Sequence, residues 1–170
     1  MVLHRLFSLF AALALAGCAS VQDHGPTRVL AGSDDKAAAE SILELLGAAG
    51  VPAELASDGT SVFVYRRGMA TLLAPIVQTQ GMDRIVATRR YAPAPGRDDQ
   101  DLDGLARRLN DTLNVGVFSV DAGALLFQSQ MTFVDRLDSG ELVAFLGWLD
   151  AAELAISRVD GPGGVLLISS

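Results

Sequence analysis

Three strand-like runs, Thr60–Arg67, Ala70–Thr79 and Asp83–Tyr91, follow one another with almost nothing between them. Gly68 marks the first break and Gln80-Gly81-Met82 the second. Parallel neighbours need a crossover of roughly a dozen residues, so breaks this short impose antiparallel pairing. Pro75 in the second run cannot donate to a ladder, which predicts an edge strand or a bulge there.

Helical patterns flank this meander. Ala38, Ile42, Leu45, Leu46 and Ala49 recur at helical spacing, with Ser33 or Asp34 to cap and Gly50-Val51-Pro52 to stop. Beyond the Pro93, Pro95 and Gly96 loop a helix is expected over Asp101–Leu113, with Leu102, Leu105, Ala106, Leu109 and Leu113 on one face. Val115–Asp121 and Ala124–Val134 then read as a hairpin across Ala122-Gly123. A last helix runs from Ser139 to about Ser157, its Asp138 and Glu141 spaced as a capping box. The predicted order is α-β-β-β-α-β-β-α, an α+β domain with an antiparallel sheet over residues 33–160. Gly161-Pro162-Gly163-Gly164 breaks structure before a tail, residues 161–170, that either docks as a short strand or stays loose.

The first residues follow other rules. Met-Val-Leu-His-Arg opens onto an apolar run from Leu6 to Ala16, then Gly17-Cys18-Ala19-Ser20. A basic start, a short apolar stretch and small residues are the parts of a signal peptide, here residues 1–17. The run is far shorter than the roughly 20 residues that span a bilayer. Leu15-Ala16-Gly17-Cys18 resembles a bacterial lipobox, which implies cleavage before Cys18 and acylation of its thiol, palmitate included. Cys18 is the only cysteine, so no intramolecular disulfide competes for it. Residues 18–32, small, polar and unpatterned, read as a lipidated tether. Ala19 after the cysteine implies sorting to the periplasmic face of an outer membrane.

Arg5 is the only charged residue among 1–17, so its removal takes the formal charge from −7 to −8. Nucleic acid needs a basic footprint, and none is expected here as a partner. The pairs Arg66-Arg67 and Arg89-Arg90 are the local exceptions, and their positions read as solvated strand ends.

Gly116-Val117-Phe118-Ser119-Val120-Asp121-Ala122-Gly123-Ala124-Leu125-Leu126-Phe127 has the form G-x-F-x-x-D-x-G-x-L-x-F. A long strand, a short acidic turn and an amphipathic helix with Leu142, Phe145 and Leu149 follow it. This arrangement is similar to the YbjN family, bacterial domains described as sensory transduction regulators. The element order matches along most of residues 34–157, and the residue-level likeness is confined to about 110–150. The resemblance implies the fold of type III secretion chaperones and a binding or adaptor role, with no catalytic residue or cofactor to carry over.

Candidate chemistry is sparse. Asp99, Asp101, Asp103 and Gly104 fit the first half of a calcium loop. The bidentate Glu that closes such a loop is replaced by Asn110, Arg107 points a cation at the would-be ion, and the incoming helix is missing. The stretch reads instead as an acidic helix start, which complements the helix dipole, and no metal is expected. His4 leaves with the signal and His24 lies in the tether, so the domain has no histidine for a Ser–His–Asp triad or a zinc site. A small extracytoplasmic hydrolase using paired carboxylates remains the alternative.

The last helix is the most informative feature. Leu142, Phe145, Leu146, Leu149 and Ile156 form the face expected to cover the sheet, with Trp148 beside it. Val143, Gly147 and Leu154 lie on the other side, where Asp150 supplies nearly the only charge. Either a loop or the C-terminal strand covers that side, or Val143, Gly147, Trp148 and Leu154 meet a protein partner or a second copy. The function expected is a lipid-anchored, non-enzymatic adaptor or chaperone-like module of the cell envelope.

Overall fold

The computed structural model describes residues 34–78, 82–133 and 136–167. The signal segment, Cys18, the tether with His24, Ser33 and the turn residues Gln80-Gly81 lie outside them. The described elements are α1 Asp35–Ala48, β1 Ala53–Leu55, β2 Val62–Arg66, β3 Met69–Ile76, β4 Asp83–Tyr91, α2 Asp99–Thr112, β5 Val117–Asp121, β6 Ala124–Phe133 and α3 Ser139–Asp160. They form an α+β fold around one antiparallel sheet in the order β1-β2-β3-β4-β6-β5. Helix α2 carries the chain from β4 to the far edge, and the β5–β6 hairpin brings β6 back against β4.

One strand was not legible. β1 has three residues with Glu54 at its centre, too few for alternation to show, yet it pairs with β2 from Ala53↔Val64 to Leu55↔Val62. β2 begins at Val62 rather than Thr60 because the Asp58 carboxylate accepts from the Thr60 and Ser61 N–H groups, at 2.8 and 3.1 Å, and holds them in a turn. The reading of Pro75 needs correcting as well. β3 is an interior strand, and its register with β4 runs through Pro75↔Ile85 without a bulge. Pairing with β2 ends at Val62↔Leu73, so Pro75 has no neighbour on that side and its missing donor leaves no gap in the ladder.

The three described helices share one face of the sheet, with α3 packed against both α1 and α2. Their apolar stripes, Ile42, Leu45 and Leu46 from α1, Leu102, Leu105 and Leu109 from α2, and Leu142, Leu146, Leu149 and Ile156 from α3, bury against Val62, Val64, Leu73, Ile85, Leu125 and Phe127. Period-2 alternation gives the sheet its buried face, and the opposite face mixes Val86 and Leu126 with Thr88, Arg90, Gln128 and Gln130.

The free edge of β5 is closed by a side chain. Asn110 on α2 donates through Nδ2 to the Phe118 carbonyl at 2.8 Å and accepts from the Phe118 N–H at 2.9 Å. An unpaired edge invites strand addition, and Asn110 occupies that edge as a short stretch of backbone would. Gly116, which opens the hairpin pattern, is set by a close approach: a Cβ there would overlap the Gln128 carbonyl oxygen.

Candidate functional site

α3 starts on the expected capping box, where the Asp138 side chain accepts from the Glu141 N–H and the Glu141 side chain accepts from the Asp138 N–H. It ends at Gly161, whose φ of 78° suits a residue without a Cβ. Of the face expected to cover the sheet, Leu142, Leu146, Leu149 and Ile156 are buried, whereas Phe145 is half-buried and stacks on Trp148 with ring centroids 6.2 Å apart.

Asp150 departs from the sequence reading. It is not the charge of a solvated back but lies 5 % exposed at the seam between α3 and the sheet. The reason is Arg89, which is 1 % exposed and not a solvated strand end. Strand β4 buries Ile85, Ala87 and Tyr91, and Arg89 falls in the same two-residue phase, so its side chain must point under α3. There its guanidinium is fully engaged. Nε donates to Thr71 Oγ1 at 2.9 Å and Nη2 to Asp150 Oδ1 at 2.7 Å. Nη1 donates to the Leu149 carbonyl and to Glu153 Oε2, each at 3.0 Å.

The other arginines of the two pairs also find partners. Arg66 Nη2 lies 3.1 Å from Asp150 Oδ2, and Arg67 Nε lies 3.9 Å from the same oxygen. Arg90 reaches across to the β5–β6 turn, donating to the Asp121 and Ala122 carbonyls at 3.0 and 2.9 Å. Ala122 holds φ 43°, a conformation Ala adopts at a cost, and Arg90 clamps it. Three guanidinium groups thus face two carboxylates under and beside α3, and one positive charge is in surplus.

Tyr91 lies next to this cluster, and its hydroxyl has no hydrogen-bond partner. Burial pushes its pKa up to about 12; the nearby Arg89 charge pulls it down, while Glu153 and Asp150 push it further up.

The outer side of α3 contrasts with the inner one. Leu154 is 56 % exposed and Trp148 41 %, Gly147 and Ala151 are exposed, and Val143 is half-buried. A Cβ built on Gly147 would meet nothing within 4 Å, so the chain's own packing does not call for glycine there. The C-terminal segment takes another route. Val165 and Leu166 donate their N–H groups to the Asp160 carboxylate at 2.7 and 3.0 Å, and the strand-like bridge Pro93↔Leu166 ties the segment to the end of β4.

The acidic stretch of α2 is helix from Asp99, with Asp98 and Asp101 forming a second capping box and Arg107 Nε donating to the Asp103 carbonyl at 3.2 Å. Other carboxylate pairs are equally committed. Asp138 and Glu141, which line an open groove of about 740 Å³ with Met131, Phe133 and Leu137, cap α3, and Asp150 and Glu153 hold Arg89. Sequence reasoning missed Arg89, Thr71 and Glu153, although the alternation of Ile85, Ala87 and Tyr91 carried the signal for Arg89.

A scan against protein-family models finds no match, and no curated protein matches the chain.

Two outcomes follow from the buried cluster. Removing Asp150 leaves buried Arg89 with Glu153 as its one carboxylate and Arg66 without its partner, so Asp150→Leu is expected to cost about 3 kcal/mol by urea denaturation, and adding Arg89→Met is expected to recover part of it. Raising pH tests Tyr91. Its folded-state pKa lies above the ordinary 10.0, so the unfolded chain loses the proton first, and this stabilisation is complete below pH 10 and lost as pH passes about 12. Over that window Tyr91→Phe, which removes an unpartnered hydroxyl, is expected to lose about 2–3 kcal/mol less stability than the parent.

Proposed function

We propose that the protein is a lipid-anchored, non-enzymatic adaptor of the cell envelope, held to the membrane through Cys18 and binding a protein partner with the outer side of α3. The carrying observation is that exposed apolar side: Trp148 and Leu154 stand in solvent on a helix whose inner side is fully packed. Exposed apolar surface of this kind marks interaction sites. No helix among the described residues is long and apolar enough to cross a membrane, so membrane residence rests on the lipobox-like Leu15-Ala16-Gly17-Cys18. The YbjN-like hairpin supports the adaptor role, and the element order α-β-β-β-β-α-β-β-α is compatible with that resemblance.

In the producing cell, Cys18→Ser is expected to abolish labelling by a fatty-acid probe and to release the protein from the membrane fraction. A photo-crosslinker at position 154 is expected to yield a discrete protein adduct in the same cells, and one at exposed Gln130 on the open sheet face is not. Membrane residence without label contradicts the anchor, and identical patterns from the two positions contradict the docking face.

A further inference from the structure

The uncovered side of α3 is bordered by positive charge in an otherwise acidic chain. Residues three and four apart share a helix face, so Gly147 and Leu154 flank Asp150, and Arg158 follows Leu154 on the same side. Asp150 in turn receives Arg66 and Arg67 from the β2–β3 turn, which places both guanidinium groups along the edge of the apolar stripe. Only the second stays open to solvent. Arg66 pairs with Asp150 and its remaining Nη1 is buried, whereas Arg67, 69 % exposed, comes no nearer to Asp150 than 3.9 Å, through Nε.

The turn itself points the same way. Arg67 and Gly68 are the two central residues of a tight hairpin, Arg66↔Met69, with φ values of 50° and 75°. Asn is the residue such a turn favours at its first central position, and Arg fits it poorly. Gly147 repeats the pattern: glycine weakens a helix interior, and no atom of the described chain occupies the space its missing Cβ leaves. Both residues are costly for the fold, and both make sense for something that approaches from outside.

We propose that this side of α3, between the Arg66–Arg67 turn and Arg158, docks an amphipathic helix whose apolar stripe is flanked by carboxylates. The proposal rests on the docking role of α3 given above and names the chemistry of its partner. Close backbone approach at Gly147 and Ala151 seats the stripe, Leu154 and Trp148 bury against it, and the partner's carboxylates meet the exposed Arg67 and Arg158. Charge complementarity of this kind selects among partners more than it adds raw affinity.

Trp148 is the only tryptophan in the chain and stands exposed at the flank of this side, so its emission reports docking there. The full chain is titrated with two synthetic tryptophan-free helical peptides that share a leucine stripe, one flanked by glutamates and one by lysines. The glutamate peptide is expected to blue-shift Trp148 and to saturate at a concentration on the order of tenfold lower than the lysine peptide. Arg67→Asn should remove that preference while leaving the melting temperature equal or higher, since Asn suits the turn. Equal response to the two peptides, or a preference that survives both Arg67→Asn and Arg158→Gln, overturns the acidic partner; Leu154→Gln then still weakens both responses if α3 docks at all. No Trp148 response to either peptide overturns the docking face itself.

Discussion

A guanidinium buried beneath a helix organises this molecule. Arg89 spends every nitrogen on a partner, and the partners come from two elements: Thr71 on β3, and the Leu149 carbonyl and the Asp150 and Glu153 carboxylates on α3. A buried charge is tolerated only when it is paired and hydrogen-bonded. The position of α3 over the sheet is therefore fixed by direction as well as by apolar contact. Leu142, Leu146, Leu149 and Ile156 could pack in several registers, but Asp150 can meet Arg89 in one.

That registration decides which side of α3 faces solvent. With Asp150 drawn inward, the helix turns Gly147, Ala151 and Leu154 outward and brings the β2–β3 turn alongside them. An interior polar contact and an exterior apolar stripe are thus two consequences of one rotation of the helix. Two other features are managed separately: Asn110 closes the β5 edge, and the Asp160-bound C-terminal segment is tied to the end of interior strand β4. Among the described residues Met82, Val117 and Leu167 also stand exposed, but the outer side of α3 sets Leu154 beside small residues and exposed cations.

Much of the architecture could be read from the chain because the determining signals are local. The caps at Asp34 and Asp138, the hairpin at Ala122-Gly123 and the apolar periodicity of all three helices each act within a few residues. β1 escaped because three residues carry no period, and Pro75 misled because strand length, not strand order, leaves its side unpaired. The charge cluster escaped for a different reason. An Arg-Arg pair in isolation resembles a solvated end, and only the pairing of Arg89 with a carboxylate 61 residues away makes burial favourable. Asp150 was misplaced by the same long-range fact.

The claim that α3 carries the working surface can be tested by the reactivity of one thiol. On the proposed anchoring the Cys18 thiol is blocked, and Leu154→Cys then supplies a single free sulfhydryl on that surface. Its rate of alkylation by a water-soluble maleimide is compared between the purified full chain and native envelopes, with Gln130→Cys as the reference. A partner docked on α3 predicts fast modification at position 154 in the purified chain and strong protection in envelopes, with position 130 unchanged. Equal rates at position 154 in both preparations would contradict it.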